Sequence, residues 1–251
     1  MEACVANMIE PGDKFLVGVN GYFGKRLIDM ANRYGAECIA INRPWGEVFT
    51  YEEIKAAVEK HKPRVMALVH AETSTGACQP FDGVGELCRK HGVLLIADTV
   101  TSISGVPLYV DKWGIDAVYA GTQKALSCPP GVSPMSFSPA AMDKLMKRQK
   151  PVPNWYLDMK MVASYLTQTG GGARSYHHTA PIRCPALPDA LGEGGGGDGR
   201  RAAGGSNGAF PCARTLRPLG APFGALPRVS GLRSGRASAP RPLRGVVPRE
   251  A

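Results

Sequence analysis

The sequence predicts an α/β fold with a mostly parallel sheet covered by helices on both faces. Segments with strand periodicity alternate with helical segments along the chain. The strands predicted at Arg64–His70 and Val93–Asp98 are apolar on both faces, which is typical of buried parallel strands. Ligands of such sheets bind beyond the carboxyl ends of the strands. His70, Asp98 and Lys124 all lie at or just after predicted carboxyl ends.

The predicted elements follow one another in a regular order. A helix at Glu2–Ile9 is ended by a Pro-Gly pair, and a later helix begins at a capping box formed by Thr50 and Glu53. Apolar runs define the strands, and glycines end two of the helices. The remaining predicted elements are strands at Lys14–Val19, Glu37–Ile41, Asp116–Gly121 and Ser133–Ser138 and helices at Gly24–Gly35, Thr50–His61 and Val84–Gly92.

The positive charge of the chain is concentrated in its C-terminal part. The whole chain has a formal net charge of +9, which by itself favours an acidic partner. Residues 183–251 hold 11 Arg and 4 acidic residues, a net of +7, and residues 1–182 hold the other 19 basic and 17 acidic residues, a net of +2. Residues 1–182 therefore form an ordinary near-neutral globular sequence, and we predict a domain boundary at residue 182.

Residues 183–251 form a low-complexity tail that we predict to be disordered. These 69 residues contain 14 Gly and 9 Pro but no Lys, Ile, Met, Tyr or Trp. The bias favours an out-of-frame or intron-derived translation of GC-rich DNA. A genuine disordered extension is one alternative. A basic arm that binds nucleic acid is another, but no pattern of interleaved aromatic residues supports it, and we expect no nucleic-acid partner.

Cysteine usage and the sequences of the two termini indicate which cellular compartments suit the protein. The seven cysteines are odd in number and widely spaced, which favours reduced thiols and no metal site. No apolar run is long enough to cross a membrane, so we expect no membrane partner. The N-terminus has neither signal nor transit character. The last residues, Pro248 to Ala251, are not a peroxisomal tripeptide, so no targeting signal is visible.

Opposite charges follow two of the predicted buried strands. A lysine in such a place can bind phosphate, pair with a carboxylate or form a Schiff base with an aldehyde. An aspartate after a neighbouring strand can keep the ring nitrogen of pyridoxal phosphate protonated, and the pyridinium is then an electron sink. Asp98 and Lys124 therefore indicate a pyridoxal phosphate site in which each charge faces a different end of the cofactor. A structural ion pair at the strand ends is the alternative.

A longer motif surrounds these two residues. The residues ID at 115–116, GTQK at 121–124 and GVS at 131–133 match the lysine signature of the class V aminotransferases. The stretches EPGDKFLVGVNGYFGKR, KPRVMALVHAETSTGACQPFDGVGELC and SYHHTAPI resemble the alanine–glyoxylate (serine–pyruvate) branch of that family, from about Glu2 to Ile182. The resemblance implies that residues 1–182 are part of a type I pyridoxal-phosphate-binding large domain, and that the C-terminal small domain is missing.

The resemblance assigns roles to five residues around the cofactor ring. It implies that Lys124 is the catalytic residue, which binds the cofactor aldehyde and moves a proton between substrate and cofactor carbons. Asp98 would bind the pyridine nitrogen. Phe23 takes the place of the family's usual tryptophan and would stack on the ring, with Val100 on the opposite face. Thr73 would contact the ring oxygen.

Three more residues would bind the cofactor phosphate. Gln123 would do so within the subunit, whereas Tyr176 and Thr179 would reach the site of the other subunit, which implies a homodimer with shared active sites. Taken alone, each of these side chains also fits an ordinary core, cap or loop position. We interpret His70 as a strand-end histidine whose hydrogen bonds are satisfied.

The implied reaction transfers an amino group from L-alanine or L-serine to glyoxylate and forms glycine. The family is commonly peroxisomal, with mitochondria or the cytosol as alternatives.

Two motifs of the family are not found in this sequence. The chain begins after the family's phosphate-binding Ser-Gly-Ser-Gly-His-type loop, and no tail arginine lies in the motif that binds the substrate carboxylate. We therefore expect weak cofactor binding and little turnover. One alternative is an inactive truncated subunit that associates with full-length chains. Another is a cysteine desulfurase-like enzyme, which Phe23 in the stacking position disfavours.

Overall fold

The described part of the chain folds into a six-stranded sheet flanked by helices. The computed structural model describes residues 1–167 and residue 177. The elements of this part are, in chain order, α1 (Glu2–Met8), β1 (Lys14–Val19), α2 (Tyr22–Arg33), β2 (Glu37–Asn42), α3 (Tyr51–His61), β3 (Val65–Val69), β4 (Ala71–Glu72), β5 (Ala77–Cys78), α4 (Val84–Lys90), β6 (Leu94–Asp98), β7 (Ala117–Tyr119), β8 (Met135–Phe137), α5 (Pro139–Met146), a 3-10 helix (Trp155–Leu157) and α6 (Met159–Thr167). The sheet has the strand order β2-β1-β3-β6-β7-β8, and β4 pairs with β5 in a separate hairpin.

Five of the six strands in the sheet run parallel, as the sequence predicts. Each of the pairs β1–β2, β1–β3, β3–β6 and β6–β7 is parallel. The last strand, β8, is antiparallel to β7, a direction that its short apolar pattern did not indicate. The register places Asp98 at the end of β6 directly opposite Tyr119 at the end of β7. Parallel strands bring their carboxyl ends to one edge, so residues that follow β3, β6 and β7 lie along the same edge.

The core lies in two layers, one on each face of the sheet. The helices α1, α2 and α5 cover one face with residues such as Met8, Leu27 and Leu145, and we call this layer the α2-side cluster. The helices α3 and α4 cover the other face with residues such as Ile54 and Leu87, and we call this layer the α3-side cluster. Successive residues of β3 alternate between the two clusters, as the two-residue period of a strand requires. The predicted cover on both faces is therefore confirmed.

The capping box at the start of α3 is present as predicted. The Thr50 hydroxyl accepts the Glu53 amide at 3.3 Å, and Oε2 of Glu53 accepts the Thr50 amide at 2.8 Å. Hydrogen bonds from Arg43 and Thr50 lower the pKa of Glu53 to about 2.

The hairpin of β4 and β5 and the helices α5 and α6 are additions that the sequence patterns did not predict. The boundary at residue 182 and the nature of the tail concern residues outside the described part and stay predictions.

None of the helices described for residues 1–167 is long and apolar enough to cross a membrane.

Gly85 of α4 packs so closely against the turn before β7 that a side chain does not fit. A Cβ atom built there would lie 1.9 Å from the carbonyl oxygen of Trp113 and 2.7 Å from that of Gly114. Alanine is ordinarily better than glycine in a helix by about 1 kcal/mol. We nevertheless expect Gly85→Ala to lower the free energy of unfolding by about 1–3 kcal/mol, because overpacked backbone must shift. Urea unfolding measures the change.

The neighbouring residue Glu86 provides the control for this prediction, because it lies on the exposed side of the same helix. Glu86→Ala should change the free energy of unfolding by less than about 0.5 kcal/mol. A Gly85→Ala variant as stable as the wild type would contradict the close approach of α4 to the turn.

Candidate active site

Asp98 is a buried carboxyl group without an ion-pair partner in the described part of the chain. The residue is 4% exposed. Its Oδ1 accepts the Val100 amide at 3.0 Å, and none of the salt bridges among the described residues includes it. Burial raises the pKa of Asp98, and the Val100 hydrogen bond opposes that shift. A buried carboxylate is costly unless a cation pairs with it, so the position suits a cationic ligand atom.

Tyr119 faces Asp98 from the neighbouring strand. The ring is fully buried in the α2-side cluster. Its hydroxyl has no partner of good hydrogen-bond geometry among the described residues, yet it lies near enough to act on Asp98 electrostatically. Burial raises the pKa of Tyr119, and the charge of Asp98 raises it further. The sequence analysis missed this residue, because only the register of β6 and β7 places it opposite the carboxyl group.

Lys124 lies in an exposed turn directly after β7. The amide of Ser127 donates to the Lys124 carbonyl at 2.9 Å, and the amide of Cys128 donates to the Thr122 carbonyl at 3.0 Å, so the backbone of the turn is closed. Within the described residues, Nζ of Lys124 has neither a hydrogen bond nor an ion pair. The structural ion pair with Asp98, the alternative left open by the sequence, is therefore absent from the described residues. No described side chain occupies Nζ of Lys124, so this atom is accessible to a ligand.

Gln123 precedes the lysine and is also exposed. Its side chain folds back over Gly121, where an added Cβ would lie 2.8 Å from Oε1 of Gln123. Gly121 therefore leaves room for this side chain at the edge of the sheet.

Phe23 and Val100 border the same apolar layer. Both are partly buried and pack against the α2-side cluster. The Phe23 ring makes an edge contact with Tyr22 at 5.7 Å between centroids. The guanidinium of Arg26 lies over the Phe23 ring at 4.8 Å from its centroid. The Arg26 cation therefore already covers one face of this ring, a favourable cation–π contact.

Thr73 is joined to the segment that follows Asp98. Its hydroxyl forms a short hydrogen bond with the hydroxyl of Thr101. The same segment approaches the lysine turn, because a Cβ added at Gly105 would lie 3.1 Å from Cβ of Ala125. The structure thus brings the loops of Thr73, Asp98 and Lys124 together at the carboxyl edge of the sheet.

The other polar residues of the predicted site and its neighbourhood have different outcomes. Tyr176 and Thr179 lie outside the described residues. His177, between them, is buried, and its ring stacks on Trp155 at 4.4 Å between centroids. His70 packs against two aromatic rings of the α3-side cluster, Phe81 and Trp113.

The hydrogen bonding of His70 differs from the prediction. Its Nδ1 has no hydrogen-bond partner within the described residues, so the expectation of a satisfied histidine is wrong for that atom. Burial in the aromatic layer lowers the pKa of His70.

No group of acidic, histidine or cysteine side chains in the described part of the chain could hold a metal ion.

Known proteins resemble this chain over the part that contains the site. The sequence profile described as "Aminotransferase class-V" matches residues 1–177. An alanine–glyoxylate aminotransferase of Callithrix jacchus is 44% identical over 182 residues, which cover 72% of this chain and 44% of the relative. An (S)-ureidoglycine–glyoxylate transaminase of Bacillus subtilis (strain 168) is 36% identical over 197 residues, covering 71% of this chain and 46% of the relative.

A solved structure supports the same assignment. An alanine–glyoxylate aminotransferase from Nostoc sp. superposes with a TM-score of 0.69 at 57% identity, covering 72% of this chain and 47% of the other. The chain thus spans about half the length of the relatives it matches. The predicted type I fold is confirmed by these matches. The extent of the family profile and the identity to these relatives show that the chain belongs to the class V aminotransferases.

Proposed function

We propose that the protein transfers an amino group from L-alanine or L-serine to glyoxylate and releases glycine. The names of the relatives support the acceptor more strongly than the donor. Their donors are alanine, (S)-ureidoglycine and L-aspartate, whereas glyoxylate occurs in every one of those names. The observation that carries the proposal concerns the ends of two adjacent strands: within residues 1–167 and 177, the buried Asp98 has no counterion and Lys124 has no partner.

Pyridoxal phosphate is the cofactor of this family, and the described residues fit it. Asp98 offers a desolvated carboxylate to the ring nitrogen, and Lys124 offers an amine to the aldehyde. We propose that Phe23 and Val100 flank the ring, since both border the α2-side cluster. When bound, the cofactor supplies an electron sink that makes the α-hydrogen of the amino acid acidic.

The phosphate and the ring oxygen have candidate partners as well. The exposed Gln123 side chain is available to a phosphate, and Thr73 presents a hydroxyl for the ring oxygen. We also propose that the protein is a homodimer in which Tyr176 and Thr179 complete the phosphate site of the partner subunit. The weak cofactor binding and the low turnover expected of this chain stay predictions.

The two charged residues have separate tasks in the proposed reaction. Nζ of Lys124 would take the proton from the α-carbon of the donor and would then be the acid that returns a proton. A positioned amine of this kind is typically worth about 10²–10⁴-fold in rate. Asp98 holds the proton on the ring nitrogen. Its burial strengthens that contact, because charges interact more strongly away from water.

Glycine formation tests the proposed function. The purified chain is incubated with pyridoxal phosphate, glyoxylate and one donor at a time, L-alanine, L-serine or L-cysteine. In excess pyridoxal phosphate we expect only a weak visible absorbance of lysine-bound cofactor and slow glycine formation with L-alanine or L-serine, because cofactor binding and turnover are expected to be low. Formation of L-alanine from L-cysteine without glycine would favour the desulfurase-like alternative. Cofactor absorbance without turnover of any donor would favour the inactive-subunit alternative.

A further inference from the structure

The buried carboxylate of Glu72 connects two loops that the sequence analysis treated separately. Glu72 ends β4 and is 1% exposed. Its Oε2 accepts the Phe23 amide at 3.0 Å, across 49 residues of sequence. Its Oε1 accepts both the amide of Ser74 at 3.1 Å and the hydroxyl of Ser74 at 2.6 Å. A fully buried carboxylate with three donors is firmly held, because such charge-assisted hydrogen bonds are about twice as strong as neutral ones.

The same group takes the place of a side-chain cap on α2. The N-cap residue, Gly21, has no side chain, and the first two helical amides instead donate to Ser74 Oγ, at 2.9 Å, and to Glu72. A negative charge is favourable at this end of a helix. A Cβ at Gly21 would lie 2.3 Å from Cγ of Glu72, so the glycine makes room for the carboxylate.

The two segments that Glu72 joins, the start of α2 and the turn after β4, both carry residues of the candidate site. Phe23 is the second residue of α2, and its amide is one of the three donors. Thr73 directly follows Glu72, and its hydroxyl bonds to Thr101 in the segment after Asp98. The carboxylate therefore sets the distance between the backbone that carries Phe23 and the backbone that carries Thr73.

We propose that Glu72 is a positioning residue that holds Phe23 and Thr73 at a fixed spacing, so that both reach the cofactor ring. Glu72 itself contacts neither substrate nor cofactor. The inference rests on the proposed function, since the spacing matters for chemistry only when the ring lies between these two residues. The alternative is a helix cap that affects stability and nothing else.

The test is Glu72→Gln, which keeps the shape of the side chain but replaces one acceptor oxygen by a donor. The new NH₂ group must face an amide or hydroxyl donor, so the two-sided arrangement cannot form. We expect amide hydrogen exchange to accelerate roughly 10- to 100-fold at Tyr22 and Phe23 and also in residues 73–76. We expect the Kd for pyridoxal phosphate to rise by a similar factor, with altered visible circular dichroism of the bound cofactor.

Glu53→Gln is the matched control, because Glu53 also accepts an amide at the start of a helix but lies in the capping box of α3. It should accelerate exchange only at the start of α3 and leave the Kd and the circular dichroism unchanged. Ser74→Ala is a milder second variant in case Glu72→Gln does not fold. It removes the acceptor for the Tyr22 amide and one donor to Glu72, so the same two segments should respond more weakly.

Each possible result of these measurements either supports or contradicts the positioning role of Glu72. Exchange that accelerates at only one of the two segments would contradict the coupling of the loops. Faster exchange in both with unchanged Kd and circular dichroism would show a cap with no positioning role and would overturn the proposal. A wild-type chain that binds no pyridoxal phosphate would contradict the proposed function, while the exchange data would still decide whether Glu72 couples the loops.

Discussion

Replacing Lys124 with alanine is expected to abolish the absorbance of lysine-bound cofactor and to lower the rate of glycine formation by at least about 10²–10⁴-fold. The alanine side chain can neither attach the aldehyde nor move the α-proton. Because Lys124 is exposed and has no partner within the described residues, the substitution should leave the free energy of unfolding within about 0.5 kcal/mol of the wild type. Absorbance spectra, an assay for glycine and urea unfolding measure the three effects.

Lys147→Ala is the control for this experiment. Lys147 is also exposed, and it pairs with Asp143 one turn earlier in a surface salt bridge of 2.8 Å. Such pairs contribute about 0–1 kcal/mol, and this one lies on α5, away from the carboxyl edge. The control should keep the cofactor absorbance and the rate. Unchanged absorbance in Lys124→Ala would show that another amine holds the cofactor.

Asp98→Asn is expected to have opposite effects on stability and on cofactor binding. The asparagine carbonyl can still accept the Val100 amide, but the side chain no longer carries a buried charge. Without cofactor, the variant should be more stable than the wild type at pH 7, since it no longer buries a charge that lacks a cationic partner. With cofactor, loss of a buried ionic partner costs roughly 3–5 kcal/mol, so the Kd should rise about 10²–10⁴-fold.

The stability difference should depend on pH in a defined direction. Burial raises the pKa of Asp98 above its usual 3.8, so the folded wild type binds this proton more tightly than the unfolded chain. Its free energy of unfolding therefore falls as the pH rises from about 4 through the folded pKa. The advantage of Asp98→Asn should vanish near pH 4 and be complete at higher pH.

Urea unfolding of both proteins between pH 4 and pH 8, without cofactor, measures this difference. Asp143→Asn serves as the control, because Asp143 is exposed and pairs with Lys147 at the surface. A less stable Asp98→Asn variant at pH 7 would mean that a cation or a hydrogen-bond donor such as the Tyr119 hydroxyl already stabilises the carboxylate in the folded chain.

Local patterns in the sequence predicted much of the architecture. The strand at Lys14–Val19 and the capping box at Thr50 agree with the structure, because apolar runs and caps depend on neighbouring residues. The ends of β6 and β7 could be read in the same way, which is why Asp98 and Lys124 stood out as a pair. The direction of β8 could not, since a run of three residues has the same apolar pattern in either direction.

The amino-acid sequence by itself determined which chemical groups stand at the carboxyl ends of the strands: a carboxylate after one buried strand and an amine after the next. The tertiary structure decided what surrounds them. Tyr119 faces Asp98 because of the register between two strands, and Glu72 reaches Phe23 because Gly21 allows a close approach across 49 residues. Contacts of this kind depend on how distant segments pack, and no periodicity within one segment encodes them.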